Sequence, residues 1–296
     1  MGFQPAGVLE LLEKYYPRLK VEGISMKGGS NLAFIRGRGK NLVFKRHSPL
    51  ASPNHASLEA VYARCAEVGL IPGLIPSKGG RLLVKHGDAL LSLQEEGGRE
   101  PREVNPEALG RRVARLHQVL SSARISHLYN HFQKAVPDIK GAAKKYGYAY
   151  LVPILEQGEE TFRARPRQVI HGDLHVQNIL HKGNEILFID LDSACLSIPI
   201  IDVAFSAYRV FGLREEKIKA YVGAYNRTSP GREIGYEDLW RGLLYCIIQR
   251  ICFLLHEREK GIFEWIWDLK HQRRYLQEVL RVMALKEEKG NAALGM

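Results

Sequence analysis

The sequence predicts an α+β fold of two lobes, a small antiparallel-sheet lobe first and a larger, mainly helical lobe after it. Three observations carry this expectation. Short alternating apolar runs, separated by glycine turns, fill the chain up to residue 96. The stretch Glu95-Glu96-Gly97-Gly98 then breaks the pattern and is where an interlobe hinge belongs. Beyond it, apolar residues recur mostly at helical spacing. The expected division is therefore 1–96 for the N-terminal lobe and 97–296 for the C-terminal lobe.

The elements follow in order. Val8-Leu9, Leu11-Leu12 and Tyr15-Tyr16 make an amphipathic first helix that ends near Pro17. Ile24-Ser25-Met26, the turn Gly28-Gly29 and Leu32-Ala33-Phe34-Ile35 read as strand, turn, strand. Gly37-Arg38-Gly39-Lys40 turns the chain again into the strand Leu42-Val43-Phe44. Leu58 to Leu70 is helical, with Gly69 near its end and Pro72 beyond. Arg81 to Lys85 and Ala89 to Gln94 read as two more strands, turning at Gly87-Asp88. In the second lobe, Asn105-Pro106 has the cap-then-proline order of a helix start, and Leu109, Val113, Leu116 and Leu120 follow at helical spacing. Gln168 to Ile170 is a short strand. Ile179-Leu180 and Ile186 to Ile189 form a hairpin around Lys182-Gly183-Asn184. Helices fill most of Ile200 to Lys286, and the tail from Gly290 reads as frayed.

Composition narrows the function classes. The chain has 296 residues, enough for a substantial core, with 45% hydrophobic and 25% charged residues. The net charge of +11 comes from 43 Lys and Arg against 32 Asp and Glu. A basic surface of this kind could serve a nucleic acid, but no long basic run or nucleic-acid motif accompanies it. A solvated surface that also favours an anionic nucleotide is the simpler reading. The four cysteines, Cys65, Cys195, Cys246 and Cys252, show no Cys-x-x-Cys pair and no zinc spacing, which points to reduced thiols in a cytoplasmic protein. Met1 to Glu10 lacks the layout of a signal peptide. Leu243 to Leu255 is the most apolar stretch, interrupted by Gln249 and Arg250, and falls short of the roughly 20 residues a membrane span needs.

The chemistry concentrates in His171-Gly172-Asp173-Leu174-His175-Val176-Gln177-Asn178, followed twelve residues later by Asp190 in Phe188-Ile189-Asp190-Leu191-Asp192. Phosphoryl transfer needs this set. One carboxylate orients or deprotonates the attacking hydroxyl, while an amide oxygen and a second carboxylate hold the magnesium ions on the nucleotide phosphates. The spacing His-x-Asp-x-x-x-x-Asn is that of a kinase catalytic loop, with Gly172 where protein kinases usually carry Arg. Asp173 is assigned as the base, and Asn178 and Asp190 as magnesium ligands. Asp192 either joins the metal site or caps a turn. Each of these residues alone would read as an ordinary turn former; together, at these spacings, they read as a site. His171 fits a brace for the loop, and Asp202 fits a tie between the following helix and that loop.

The nucleotide side is read from Lys45, at the end of the strand Leu42-Val43-Phe44-Lys45, placed to reach the α- and β-phosphates of ATP. Glu59, in the first turn of the next helix, is the expected ion-pair partner of Lys45. The competing readings are a solvated strand lysine and a glutamate serving the helix dipole. Gly28, Gly29 and Ser30 would bring backbone N–H groups to phosphates, although a Gly-Gly hairpin is also simply a hairpin. Leu93 and Glu95, in the segment from Leu93 to Glu96, are expected to present backbone groups to adenine.

Taken together, these residues resemble the aminoglycoside phosphotransferase and choline kinase superfamily, the small-molecule kinases of protein-kinase-like fold. The resemblance runs over most of the chain. It covers the loop Gly28-Gly29-Ser30-Asn31, the pair Lys45 and Glu59, Leu116-His117, the catalytic loop, Ile189-Asp190-Leu191-Asp192, and Asp202-Val203-Ala204. The overall layout is similar to a bacterial branch that includes spore-coat-associated CotS-type proteins, a likeness that implies spore-coat association. The resemblance implies MgATP, a small hydroxylated acceptor and no membrane. Eleven residues separate Asp190 from Asp202, with no Ala-Pro-Glu element, leaving no room for a peptide-docking activation segment. The chain ends in Leu294-Gly295-Met296, without the acidic C-terminal element typical of antibiotic kinases, and with the +11 charge this disfavours a polycationic aminoglycoside. The alternative is a non-catalytic spore-coat protein that keeps the fold and not the chemistry. Tyr236, Trp240, Trp265 and Trp267 fall in the region expected to carry the acceptor, where aromatics could cage a cation or simply form core.

Overall fold

A six-stranded sheet carries the first part of the molecule, and its strand order decides where Lys45 lies. The computed structural model describes residues 4–26, 31–47, 55–123, 125, 128, 137–231, 233–262 and 266–293. Helix α1 (Pro5–Tyr15) leads into β1 (Val21–Met26), β2 (Leu32–Gly37) and β3 (Lys40–Arg46), then α2 (His55–Glu67), β4 (Leu74–Ile75), β5 (Val84–His86) and β6 (Ala89–Glu95). The sheet order is β1-β2-β3-β6-β4, with β5 paired to β6, and all neighbours are antiparallel. Side chains alternate across the sheet. Leu42 and Phe44 of β3, with Ala89, Leu91 and Leu93 of β6, face Val8, Leu12 and Tyr16 in a compact core under α1. Val43 and Lys45 therefore face the other way.

Two details of this lobe stand out. The strand expected from Arg81 begins only at Val84, because the Leu82 and Leu83 amides donate to the Glu59 carboxylate (2.8 and 3.3 Å) instead of to a neighbouring strand. And α2 does not pack with the small core. Leu58, Val61, Tyr62 and Cys65 join the main core of the helical lobe, so this helix ties the lobes together.

The second lobe contains α3 (Pro106–Ser121), α4 (Ile139–Lys145), α5 (Val152–Arg163), β7 (Gln168–Ile170), β8 (Ile179–Lys182), β9 (Glu185–Phe188), β10 (Cys195–Ser197), α6 (Pro199–Phe211), α7 (Glu215–Thr228), α8 (Tyr236–Glu259) and α9 (Ile266–Ala293). Asn105 caps α3 by accepting from the Ala108 amide at 2.9 Å, with Pro106 in the first turn. Helix α9 continues through Gly290 to Ala293, past the point where the sequence suggested fraying. Helix α8, at 24 residues, is longer than its apolar stretch suggested, and by length and composition it could cross a membrane. Here it is a core helix: its side chains from Leu239 to Leu254 are largely buried, and it packs against α5, α6 and α9.

Two small antiparallel ladders set the site. Strand β7 pairs with β10, Ile170 opposite Cys195, and β8 pairs with β9, Ile179 opposite Phe188. The segment after β6 is pinned to the second ladder, since Arg99 and His181 exchange backbone hydrogen bonds at 3.1 and 2.8 Å.

Candidate active site

The register of the β8–β9 hairpin explains the twelve-residue spacing seen in the sequence. With Ile179 opposite Phe188, Asn178 falls opposite Ile189, whose amide donates to the Asn178 carbonyl at 3.0 Å. Asp190 is the next residue. Its backbone is left-handed (φ 63°), a conformation that Asp tolerates better than most residues.

The catalytic loop hangs from a buried carboxylate. Asp202, in the first turn of α6 and fully buried, accepts the His171 amide at 2.7 Å on Oδ2 and the Gly172 amide at 2.8 Å on Oδ1. The same Oδ2 lies 3.1 Å from His117 Nε2, and His117 Nδ1 lies 2.9 Å from the Tyr225 hydroxyl. His171 in turn donates from Nε2 to the Ile189 carbonyl at 3.0 Å. Gly172 takes φ 80°, where a side chain would strain the backbone, so the residue that stands in for the arginine of protein kinases is one the loop conformation requires.

Asp173 sits at the end of this scaffold, with His175 Nε2 3.6 Å from its Oδ2. Burial pushes its carboxyl pKa up. The His175 hydrogen bond and the charges of His175, Arg250 and His171 outweigh that, and the group is held below the usual carboxylate range. Asn178 donates from Nδ2 to the Asp173 carbonyl at 2.8 Å, which leaves its side-chain oxygen as the atom offered to a metal.

Across the cleft, Lys45 Nζ lies 2.7 Å from Asp190 Oδ1 and 3.3 Å from Asp192 Oδ1. Burial lowers the pKa of the ammonium, but Asp190 and Asp192 more than compensate, so it stays charged. The expected Lys45–Glu59 pair is not formed. Glu59 is held by Arg81 and by the Leu82 and Leu83 amides, which orient it toward the loop before β5 and away from β3. One turn further along α2, Tyr62 takes the position facing Lys45. Its hydroxyl donates to Asp192 at 3.1 Å and accepts the Leu191 amide at 3.2 Å. Buried His47 completes the cluster, with Nδ1 2.6 Å from Asp192 and Nε2 2.9 Å from the Ser92 hydroxyl. Three donors thus converge on Asp192 Oδ1, which makes Asp192 an anchor for Lys45 in this arrangement.

His47 and Tyr62 escaped the sequence reading. His47 stands two residues after Lys45, just past the end of β3, where the strand's alternation still carries it to the same face, and Tyr62 three residues after Glu59 on one helix, hence on neighbouring positions. Those offsets were the available signals.

Lys45, Asp173, Asn178, Asp190 and Asp192 all line one cleft of about 640 Å³, with Phe34, Val43 and Gln94 on its small-lobe side and Leu180 and Ile189 below. This size is typical of a small-ligand site. Leu93 and Glu95 do not line it. Strand alternation directs Leu93 into the core under α1, and the Glu95 amide and carboxylate are engaged by Gly73 and Lys40, while Gln94 and Glu96 face the cleft. Gly28, Gly29 and Ser30 lie outside the described residues. So does Trp265; Trp240 is core and Trp267 is exposed, and neither lines the cleft.

The donor set fits magnesium. It consists of oxygen atoms only, the Asp190 carboxylate and the Asn178 amide oxygen, on one wall of a cleft that can hold phosphates. Among the described residues, no group of three or more His, Cys, Asp or Glu side chains forms a metal cage, as befits an ion that takes most of its ligands from phosphate and water.

The sequence matches the model of the family described as "Phosphotransferase enzyme family" over residues 20–237, a span that holds β1 to β10 and the catalytic loop. The chain belongs to this family. Its fold is similar to that of amicoumacin kinase hAmiN, solved in complex with AMP-PNP, Ca2+ and Ami (TM-score 0.66, 13% identity, covering 94% of this chain and 93% of that one). It is also similar to choline kinase LicA from Streptococcus pneumoniae (TM-score 0.65, 10% identity, covering 92% and 98%). A choline/ethanolamine kinase family protein from Mesorhizobium loti gives a TM-score of 0.67 at 14% identity, covering 93% and 94%. No curated protein sequence matches the chain significantly. The fold is thus the two-lobed, protein-kinase-like one that the sequence led us to expect.

Proposed function

We propose that this family member is an ATP-dependent, magnesium-requiring kinase that phosphorylates a hydroxyl of a small molecule. The observation that carries the reading is the convergence of Lys45, Asp173, Asn178 and Asp190 on one cleft. Lys45, fixed by Asp190 and Asp192, presents its charge to the nucleotide phosphates. Asn178 and Asp190 would hold the magnesium ion, which when bound neutralises charge developing on the phosphate oxygens. Asp173 accepts a hydrogen bond from the acceptor hydroxyl and aims its oxygen at the γ-phosphorus. As the new oxygen–phosphorus bond forms, the bond to the bridging oxygen breaks, ADP leaves, and the hydroxyl proton passes to Asp173. Its low pKa suits orientation of the hydroxyl more than early proton abstraction.

The eleven residues between Asp190 and Asp202 are consumed by a short 3-10 turn, β10 and the start of α6, which supports a small acceptor over a peptide. All four cysteines are buried free thiols, as a reducing, cytoplasmic setting would keep them; burial pushes Cys65 and Cys252 up to about 12, which makes these two thiols unreactive. The narrower likeness to spore-coat-associated proteins rests on the layout of the sequence alone.

The test is thermal unfolding with ATP or GTP, each with magnesium and with EDTA, on wild type and Asp190→Ala. Nucleotide at a hundred times Kd should add about 2.7 kcal/mol, a rise of roughly 5–10 °C at about 2–4 °C per kcal/mol. The rise should need magnesium and vanish in Asp190→Ala. No shift under any condition would sink the kinase reading in favour of a non-catalytic protein of this fold.

A further inference from the structure

His47 is fully buried, yet it does not line the nucleotide cleft. It stands just past β3, where its amide donates to the Leu90 carbonyl of β6 at 2.8 Å and prolongs the ladder. Its ring is held from three sides. As a carboxylate, Asp192 accepts, so the 2.6 Å contact at Nδ1 has the imidazole donating. Nε2 meets the hydroxyl of Ser92, another fully buried residue, at 2.9 Å. The Tyr62 ring packs edge-on against the imidazole, with the centroids 5.4 Å apart.

The two carboxylates on Lys45 differ in what holds them. The Asp190 side chain is 45% exposed, so it can turn from Lys45 to a metal with little disturbance. The Asp192 side chain is 9% exposed, and its Oδ1 takes His47, Tyr62 and Lys45 at 2.6, 3.1 and 3.3 Å. Drawing Asp192 toward a metal would strand two buried donors, His47 and Tyr62, which is the expensive way to lose a hydrogen bond. Once Asp190 serves the metal, Asp192 therefore remains to hold Lys45. A lysine ammonium is a point charge on a flexible stem. Fixing it before the phosphates arrive removes part of the ordering cost of binding them. His47 and Tyr62 do the fixing at one remove, from the end of β3 and from α2, while Asp192 follows β9.

We propose that His47 is a positioning residue for phosphoryl transfer. Through Asp192, and together with Tyr62, it holds the Lys45 ammonium where the nucleotide phosphates bind, the task expected of Glu59. This rests on the kinase reading above and deepens it by naming what sets the phosphate-binding lysine.

The experiment separates phosphate binding from base binding. Kd is measured for MgATP and for adenosine, which has no phosphates, by calorimetry or, where binding is weak, by ligand-detected NMR. His47→Leu removes the donor to Asp192. It should weaken MgATP about tenfold to a hundredfold, the range for losing a hydrogen bond to a charged group, and leave adenosine unchanged. In a Lys45→Met background the same substitution should have no further effect on MgATP, since His47 acts through Lys45. Tyr62→Phe removes a second donor to Asp192 and should also weaken MgATP selectively; it serves if His47→Leu does not fold. Equal losses for MgATP and adenosine would overturn the proposal and make His47 a packing residue only. So would unchanged MgATP affinity in both variants, or an undiminished effect of His47→Leu in the absence of Lys45. A wild-type protein that binds no MgATP would instead overturn the kinase reading itself.

Discussion

Replacing Asp202 by Asn should disturb the catalytic loop without altering any residue of the nucleotide cleft. The side chains are nearly isosteric, so packing of the fully buried residue is preserved. What changes is the number of acceptors. The carboxylate offers one oxygen to the Gly172 amide at 2.8 Å and the other to the His171 amide at 2.7 Å. The amide side chain has one oxygen and one NH2, so in either orientation one backbone N–H faces a donor. His117 can adapt, because its ring nitrogens exchange donor and acceptor roles against the Tyr225 hydroxyl. The backbone N–H cannot. Leaving a buried donor unsatisfied costs about 1–3 kcal/mol. Equilibrium urea unfolding should show a loss of that size with an unchanged m-value, and hydrogen exchange should accelerate at the Gly172 or His171 amide. Turnover should fall further than stability, since misplacing a reacting group by 1 Å can cost about a hundredfold. A stability change under about 0.5 kcal/mol, the range of neutral surface substitutions, with both amides still protected, would refute the view that Asp202 suspends the loop.

Three further outcomes follow. Gly110→Ala would stabilise an exposed helix by about 0.5–1 kcal/mol, but here the new Cβ would run into the Tyr221 carbonyl, forcing α3 and α7 apart. A net loss of about 1–3 kcal/mol in chemical denaturation is expected, and a stabilised variant would contradict that close approach. Buried Asp268 of α9 lies 3.2 Å from Arg209 and 3.0 Å from Arg250. Asp268→Ala leaves both without their shared carboxylate and should cost about 3–5 kcal/mol; a melting temperature within a degree of wild type would show that the buried cluster is not maintained in solution. For Asp173 the folded pKa lies below the unfolded value of about 3.9. Its ionised form therefore adds stability that is complete above the unfolded value and lost as pH falls through the lower folded one. A carboxyl NMR titration should find Asp173 ionised throughout about pH 5 to 8, and a midpoint inside that window would contradict the electrostatics described.

Much of the site was legible because its groups are close in sequence. Residues 171–190 supply Asp173, Asn178 and Asp190, and the turn between β8 and β9 is short enough that the register follows from the spacing. Lys45 was readable from strand alternation once the catalytic loop stood beside it, since an alternating strand by itself fits a solvated lysine equally well. The sequence also showed the two-lobed α+β class, because hydrophobic periodicity is a local property, about two in strands and about 3.6 in helices.

Only the tertiary structure decided the partners of charged groups. Glu59 was expected on Lys45 and is found on Arg81, because a long acidic side chain can serve either of two cations within its reach, and which is nearer depends on how α2 is set against the sheet. Asp192 took the role of anchor once His47, Tyr62 and Lys45, between 130 and 147 residues distant in sequence, were folded against it. The same holds for the end of β6, where one residue of register sends Leu93 to the core and Gln94 to the cleft, and for Arg209, Arg250 and Asp268, which come from three helices. Hydrogen bonds and ion pairs act over about 3–4 Å, and at that range identity is set by packing of elements distant in the chain, which no local pattern encodes.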